Sequence, residues 1–229
     1  MWQLSEAIDG MSEACEAFGT PVIGGNVSLY NESAGADIDP TPVIGLLGMV
    51  DVLDRRPPGA TLVDGHRLVL LGPDDVSLGG SLWGSVNEAP GGALAPLDLD
   101  LHQRVAGFVR SLVVDGLVDG VHDLSAGGLG VAVAEMVARS GVGAHLARVP
   151  DHRALFGEGP SRVLCCVDPE HLSEVLVAAE AAGVPTTRIG LATGDRLIVK
   201  DLLNVAVDDV GHAHRNRLPT ALGAGTVNR

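Results

Sequence analysis

Apolar residues recur along this chain with two different periods, and the change from one to the other marks out its elements. Leu4, Ile8, Met11, Cys15 and Phe18 alternate spacings of four and three, which predicts one helix with a single apolar stripe, and Gly19 stands where a C′ glycine belongs. The pattern then shortens: a strand is predicted from about Pro21 to Tyr30. A Gly-, Asp- and Pro-rich loop (Glu32 to Pro42) follows, and the apolar run Val43 to Val52 predicts a second, buried strand. Arg55, Arg56, Pro57, Pro58 and Gly59 form a polar, proline-broken connection and the best candidate boundary between domains.

Past that boundary, Arg67 to Leu71 reads as a strand that ends at Gly72-Pro73, and Ser85 to Leu97 as a Gly-, Ala- and Pro-rich mobile loop. A helix is predicted from about Leu101 to Leu117, with Val105, Phe108, Val109, Leu112 and Val113 on one face. A second begins after Ser125 and ends near Arg139. A third takes Asp168 as N-cap, Pro169 as first helical residue and Gly183 as terminator, with Leu172, Val175, Leu176 and Ala179 facing inward. Val163 to Val167 is a strand ahead of it, and Thr187 to Leu191 with Arg196 to Val199 reads as a pair joined by Thr193-Gly194-Asp195. Strands alternating with helices predict an α/β (α+β) fold, a sheet covered on one or both faces.

Composition narrows the functional classes. With 15 Lys plus Arg against 29 Asp plus Glu, the net charge is −14, which excludes the basic footprint of a nucleic-acid partner. Hydrophobic residues at 46% suffice for a core, but no apolar run reaches the roughly 20 residues that span a bilayer, so no membrane partner is expected. The start of the chain lacks the basic residues and apolar run of a secretory signal. Cys165 and Cys166 are neighbours on a strand and point to opposite faces, so they are expected as buried thiols in a reducing cytoplasm.

Four glycine-rich stretches carry candidate chemistry. In Gly24-Gly25-Asn26-Val27-Ser28-Leu29-Tyr30-Asn31-Glu32, strand alternation would put Asn26, Ser28 and Tyr30 on one face. The Asn26 carbonyl oxygen is a hard donor suited to Mg²⁺, and two glycines let a phosphate come close. The plain alternative is an amphipathic strand with a solvated face. In His122-Asp123-Leu124-Ser125-Ala126-Gly127-Gly128-Leu129, free backbone N–H groups at a strand–loop–helix turn would favour an anion, with Asp123 holding its cation. Equally, Ser125 caps the helix, the glycines allow tight packing, and His122 and Asp123 form a structural pair. Phe156-Gly157-Glu158-Gly159-Pro160-Ser161-Arg162 is either a ligand rim or a turn with a surface ion pair, and Leu78 to Trp83 is ambiguous in the same way. His212 and His214 lie in a polar tail and are not expected to form a metal site. No Walker loop, dinucleotide fingerprint or nucleophile elbow is present.

The stretches Met1-Trp2-Gln3-Leu4, Ile8-Asp9-Gly10-Met11, Pro21 to Glu32, Pro42-Val43-Ile44-Gly45, Gly79-Gly80-Ser81 and His122 to Leu129, in that order, resemble the phosphoribosylformylglycinamidine synthase large-subunit family, within the aminoimidazole ribonucleotide synthase-like superfamily. That family has two homologous halves, each with an N-terminal and a C-terminal module. The resemblance implies that residues 1–58 are a partial N-terminal-like module carrying Gly-Gly-Asn-Val-Ser-Leu-Tyr-Asn-Glu, and that 65–229 are a C-terminal-like domain, both from the end of the second half. It implies an ATP-dependent carbon–nitrogen ligase of purine synthesis that converts formylglycinamide ribonucleotide to the amidine, with Mg²⁺ and ATP as cofactors. It also implies the missing N-terminal part, a glutaminase subunit and a small bridging subunit as partners.

By position, Gly25 corresponds to an ATP contact, Asn26 to a Mg²⁺ ligand and Ser28 to a substrate contact. Asp123, Gly127 and Gly128 correspond to an auxiliary nucleotide site. The family's catalytic histidine has no counterpart here, so no catalytic residue is expected and the chain alone is expected to be inactive. The alternative is a non-catalytic, nucleotide-binding module that braces a partner half.

Overall fold

The computed structural model describes residues 2–28, 32–39, 41–50, 55–89 and 91–223. They fall into two units, 1–54 and 55–229.

In the first unit the expected helix forms as α1 (Trp2–Phe18), and Gly19 adopts the left-handed conformation past its end (φ 59°). None of its residues is buried. A minimal hairpin follows, β1 (Glu32–Ser33) against β2 (Ala36–Asp37), turning through Ala34 and Gly35, both with positive φ. Neither predicted strand is present: 21–28 and 43–50 are irregular and exposed. Val43, Leu46, Leu47 and Met49 are 81–92% exposed, so the run expected to be a buried strand is not buried. A strand needs a neighbour to receive its N–H and C=O groups, and the described residues of this unit supply none for either segment. Residues 29–30 and 51–52, the ends of those predicted strands, lie outside the described residues.

The second unit is built on a seven-stranded sheet. In chain order its elements are β3 (Arg67–Leu71), α2 (Leu82–Val86), α3 (Leu99–Asp115), β4 (Gly120–Asp123), α4 (Gly128–Ser140), β5 (Ala144–Leu146), α5 (His152–Phe156), β6 (Val163–Val167), α6 (Leu172–Ala181), β7 (Thr186–Ala192), β8 (Arg196–Val199), β9 (Leu203–Ala206) and α7 (Val207–Ala221). The strands lie in the order β4-β6-β3-β7-β5-β8-β9, and all neighbours are antiparallel except β5 and β8.

Alternation along β3 and β6 feeds two cores. Leu68, Leu70, Leu164 and Cys166 pack with Leu129, Val133, Met136 and Val137 of α4. Val69, Leu71, Cys165 and Val167 pack with Val105, Phe108 and Leu112 of α3 and Val175 and Ala179 of α6. Both faces are covered, which is why these two strands read as unbroken apolar runs. Cys165 and Cys166 do point to opposite faces, both fully buried as thiols. Burial pushes the Cys165 thiol up to about 12 and the Cys166 thiol up to about 11.

Three local expectations are corrected. The regular part of α6 begins at Leu172; the Asp168 carboxylate instead accepts the Glu170 N–H (2.8 Å) and caps the turn ahead of the helix. The α4 helix starts from Gly127, not Ser125, because Gly127 takes the left-handed conformation (φ 83°) and Ser125 bonds elsewhere. Finally, β7 and β8 do not pair: β5, too short to announce itself in the sequence, lies between them. The segment read as a mobile loop begins with the short helix α2, whose N-cap Ser81 accepts the Gly84 N–H. Among the described residues no helix is long and apolar enough to cross a membrane.

Candidate functional site

All three glycine-rich stretches of the second unit converge on one carboxylate. Glu158 precedes β6 and is held by a two-way backbone bridge with Ser77 (2.9 and 2.8 Å). One oxygen, Oε1, accepts the Leu82 N–H at the start of α2 and the Gly127 N–H at the start of α4, both at 2.7 Å. A helix N-terminus attracts an anion because its first N–H groups lack intrahelical partners. Here the protein's own glutamate supplies that anion. The Gly128 N–H is also taken, by the Ser125 carbonyl at 3.0 Å. The two glycine N–H groups expected to be free are therefore both engaged.

The glycines are required by packing at this turn. A Cβ on Gly128 would lie 2.4 Å from the Gly157 carbonyl oxygen, and one on Gly127 would lie 2.2 Å from Val131. Both residues also have positive φ, at 60° and 83°.

Asp123 ends β4 with its side chain 72% exposed. The Ser125 hydroxyl donates to its Oδ2, and this bond does most to hold the Asp123 carboxyl below the ordinary aspartate range, against the opposing effect of burial. Its other oxygen lies 3.3 Å from His122 Nδ1 without a hydrogen bond, and His122 Nε2 meets Glu135 Oε2 of α4 at 2.9 Å. Arg139 NH2 is 3.6 Å from the same Glu135 oxygen. His122 thus ties β4 to α4, and Asp123 is left facing water.

The surface ion pair expected between Glu158 and Arg162 does not form. Arg162 is 5% exposed, its Nε and NH1 make no hydrogen bond, and burial pushes its guanidinium down, partly offset by Asp74. Ser161 beside it has positive φ (63°) and pairs with His102 Nδ1 at 3.0 Å. Sequence reading missed the double role of Glu158; its position between two glycines in a turn was the available signal.

In the first unit, Gly25, Asn26 and Ser28 are exposed and lie in irregular chain. A Cβ on Gly24 or Gly25 would meet nothing within 4 Å. The strand alternation that put Asn26 and Ser28 on one face does not exist there, so their shared direction loses that basis.

Comparison with known proteins places the chain. The profile described as "AIR synthase related protein, C-terminal domain" matches residues 63–201, and its N-terminal counterpart matches 1–50. Phosphoribosylformylglycinamidine synthase subunit PurL of Nocardioides sp. is 41% identical over 227 residues, which are 97% of this chain and 30% of that protein. The Streptomyces coelicolor counterpart is 39% identical over the same shares. The chain therefore spans about 30% of the length of the curated relatives it matches. Among solved structures, Thermotoga maritima PurL complexed with FGAR aligns with a TM-score of 0.59 at 19% identity, covering 68% of this chain and 29% of that one. The same protein complexed with ATP gives 0.55 at 19%, covering 68% and 27%. At that identity the likeness is one of fold.

Proposed function

Since the chain belongs to the AIR synthase related proteins, we propose that it is the C-terminal portion of a phosphoribosylformylglycinamidine synthase large subunit. One observation carries this: an N-terminal-type match over 1–50 runs into a C-terminal-type match over 63–201, within a chain matched along 97% of its length. The domain reading is then a partial N-terminal-like module, 1–58, followed by a C-terminal-like domain, 65–229.

The reaction is the ATP-dependent amidation of formylglycinamide ribonucleotide with glutamine-derived ammonia, in the cytoplasm, alongside the rest of the subunit, a glutaminase subunit and a small bridging subunit. In it Gly25 contacts ATP, Asn26 ligates Mg²⁺ and Ser28 contacts substrate. Exposure of all three, with open space around Gly25, fits groups offered to a site that other polypeptide completes. Asn26 supplies one hard oxygen; Mg²⁺ is usually held by one or two carboxylates plus phosphate oxygens, so this residue fits as a contributed ligand and not as a whole site. Bound there, the ion would offset charge on the nucleotide phosphates.

Assayed alone with ATP, substrate and ammonia, the chain is expected to form no amidine. Adding the polypeptide that precedes it in its relatives should restore turnover, and Asn26→Asp or Ser28→Ala should then lower kcat/KM at least tenfold. Turnover by the isolated chain, or unchanged kinetics in both variants, overturns the assignment.

A second reading, a nucleotide-binding brace without turnover, is favoured by the exposed, ionised Asp123 at the entrance to α4, beside Gly127 and Gly128. Calorimetry with ADP and Mg²⁺ distinguishes it: saturable binding lost in Asp123→Ala supports the brace. Absence of binding in the wild type, with Glu158 retaining its amides, removes it.

A further inference from the structure

At the end of the central strands away from Asp123, three side chains remote in sequence come together. His66 immediately precedes β3, Asp119 immediately precedes β4, and Asp168 immediately follows β6. Register sets Arg67 beside Val167 and Gly120 beside Cys166, so these flanking residues emerge at one end of the sheet. Leu71 and Asp123, both beside Val163, emerge at the other.

His66 Nδ1 lies 3.1 Å from Asp119 Oδ2, and Nε2 lies 3.6 Å from Asp168 Oδ2. One donor atom from each residue falls within 4.8 Å of the other two. One feature points beyond a plain ion-pair cluster. His66 is only 15% exposed, and its Nδ1 is fully buried without a hydrogen bond: the Asp119 oxygen is near enough but off the N–H direction. A buried polar atom without a partner is costly, and a nitrogen and an oxygen close but out of line are placed as two ligands of one ion are placed. The Asp168 carboxylate is anchored through Oδ1, which accepts the Glu170 N–H, and its Oδ2 lies on the Nε2 side of the ring, from which rotation brings it toward an ion on Nδ1.

We propose that His66, Asp119 and Asp168 form a site for a divalent cation of the Zn²⁺ class. One imidazole nitrogen and two carboxylate oxygens make a borderline donor set that suits this class better than Mg²⁺ or Ca²⁺, which take oxygen alone. Tetrahedral bonds of about 2.1 Å separate donors by about 3.4 Å. Rotation of the Asp119 and Asp168 side chains, 45% and 36% exposed, closes the difference, and water fills the open position. The ion would pin the start of β3, the turn before β4 and the end of β6 to one another. Its role is structural, and the proposal is independent of the ligase reading.

The full chain, stripped of metal, is titrated with Zn²⁺ by calorimetry and with Co²⁺ by visible absorption. One ion per chain is expected, with a rise in Tm of roughly 5–10 °C at a hundredfold excess over Kd. His66→Gln should weaken binding at least a hundredfold and Asp168→Asn at least tenfold, while His212→Gln with His214→Gln leaves it unchanged. Should His66→Gln misfold by circular dichroism, Asp119→Asn and Asp168→Asn decide instead. No saturable binding, or wild-type affinity in the triad variants, overturns the proposal.

Discussion

The two units carry similar apolar sequence and put it to opposite use. Val43 to Val50 is as apolar as Val163 to Val167, yet the first is irregular and exposed while the second is a central strand, buried from Leu164 onward. The difference lies in neighbours. β6 has β3 on one side and β4 on the other, with α3 and α6 covering one face and α4 the other. The segment 43–50 has neither strand partner nor covering helix among the described residues of its unit. Hydrophobicity alone does not make a strand; a paired backbone does.

The sharpest way to break this comparison is a matched pair of truncations. Leu164→Ala, in a fully buried position, should cost about 2–5 kcal/mol. Leu47→Ala, at 81% exposure, should stay within about 0.5 kcal/mol. Urea unfolding of both variants measures the contrast, and equal losses would mean that Leu47 is covered in solution. Next in size, Glu158→Ala removes one carboxylate from two helix starts and should cost about 3 kcal/mol, taking each of the two incompletely buried hydrogen bonds at the low end of roughly 1.5–3 kcal/mol for a charged group. A loss under 1 kcal/mol would mean that water or a bound anion replaces it.

Glycines sharpen the same contrast at smaller scale. Gly128→Ala meets the Gly157 carbonyl in a left-handed conformation and should cost about 1–3 kcal/mol. Gly25→Ala meets nothing and should leave stability within about 0.5 kcal/mol, so that any defect it shows in the reconstituted ligase is functional.

The smallest effect is chemical. Half-buried Cys15 in the first unit should react with a thiol reagent at pH 8, while Cys165 and Cys166, pushed up to about 12 and 11, should not until the chain unfolds. Their raised values set the sign of the pH dependence. The folded state holds both as thiols, whereas unfolded cysteine titrates near about 8.5. Their contribution is thus complete below that pH and falls away as pH rises toward 11–12. Thermal melts from pH 8 to 10.5 on wild type and Cys166→Ala would show a shallower alkaline decline in the variant.

What the sequence by itself determined follows from short-range chemistry. The 3.6-residue stripes placed α1, α3 and α6, the unbroken apolar runs placed β3 and β6, and neighbouring cysteines on a strand had to face apart. Glycines marked 78–83, 122–129 and 156–162 as candidate ligand loops, and the structure shows them closing on one another instead. Tertiary structure decided the rest. That β5 separates β7 from β8 depends on three residues whose pairing no local pattern encodes. That 21–28 stays irregular depends on partner strands, not on its own residues. Glu158 could claim the amides of Leu82 and Gly127 only once segments 76 and 31 positions away had been folded against it. Local periodicity sets which elements form; which charges and amides meet is set by chain crossings that a one-dimensional pattern does not contain.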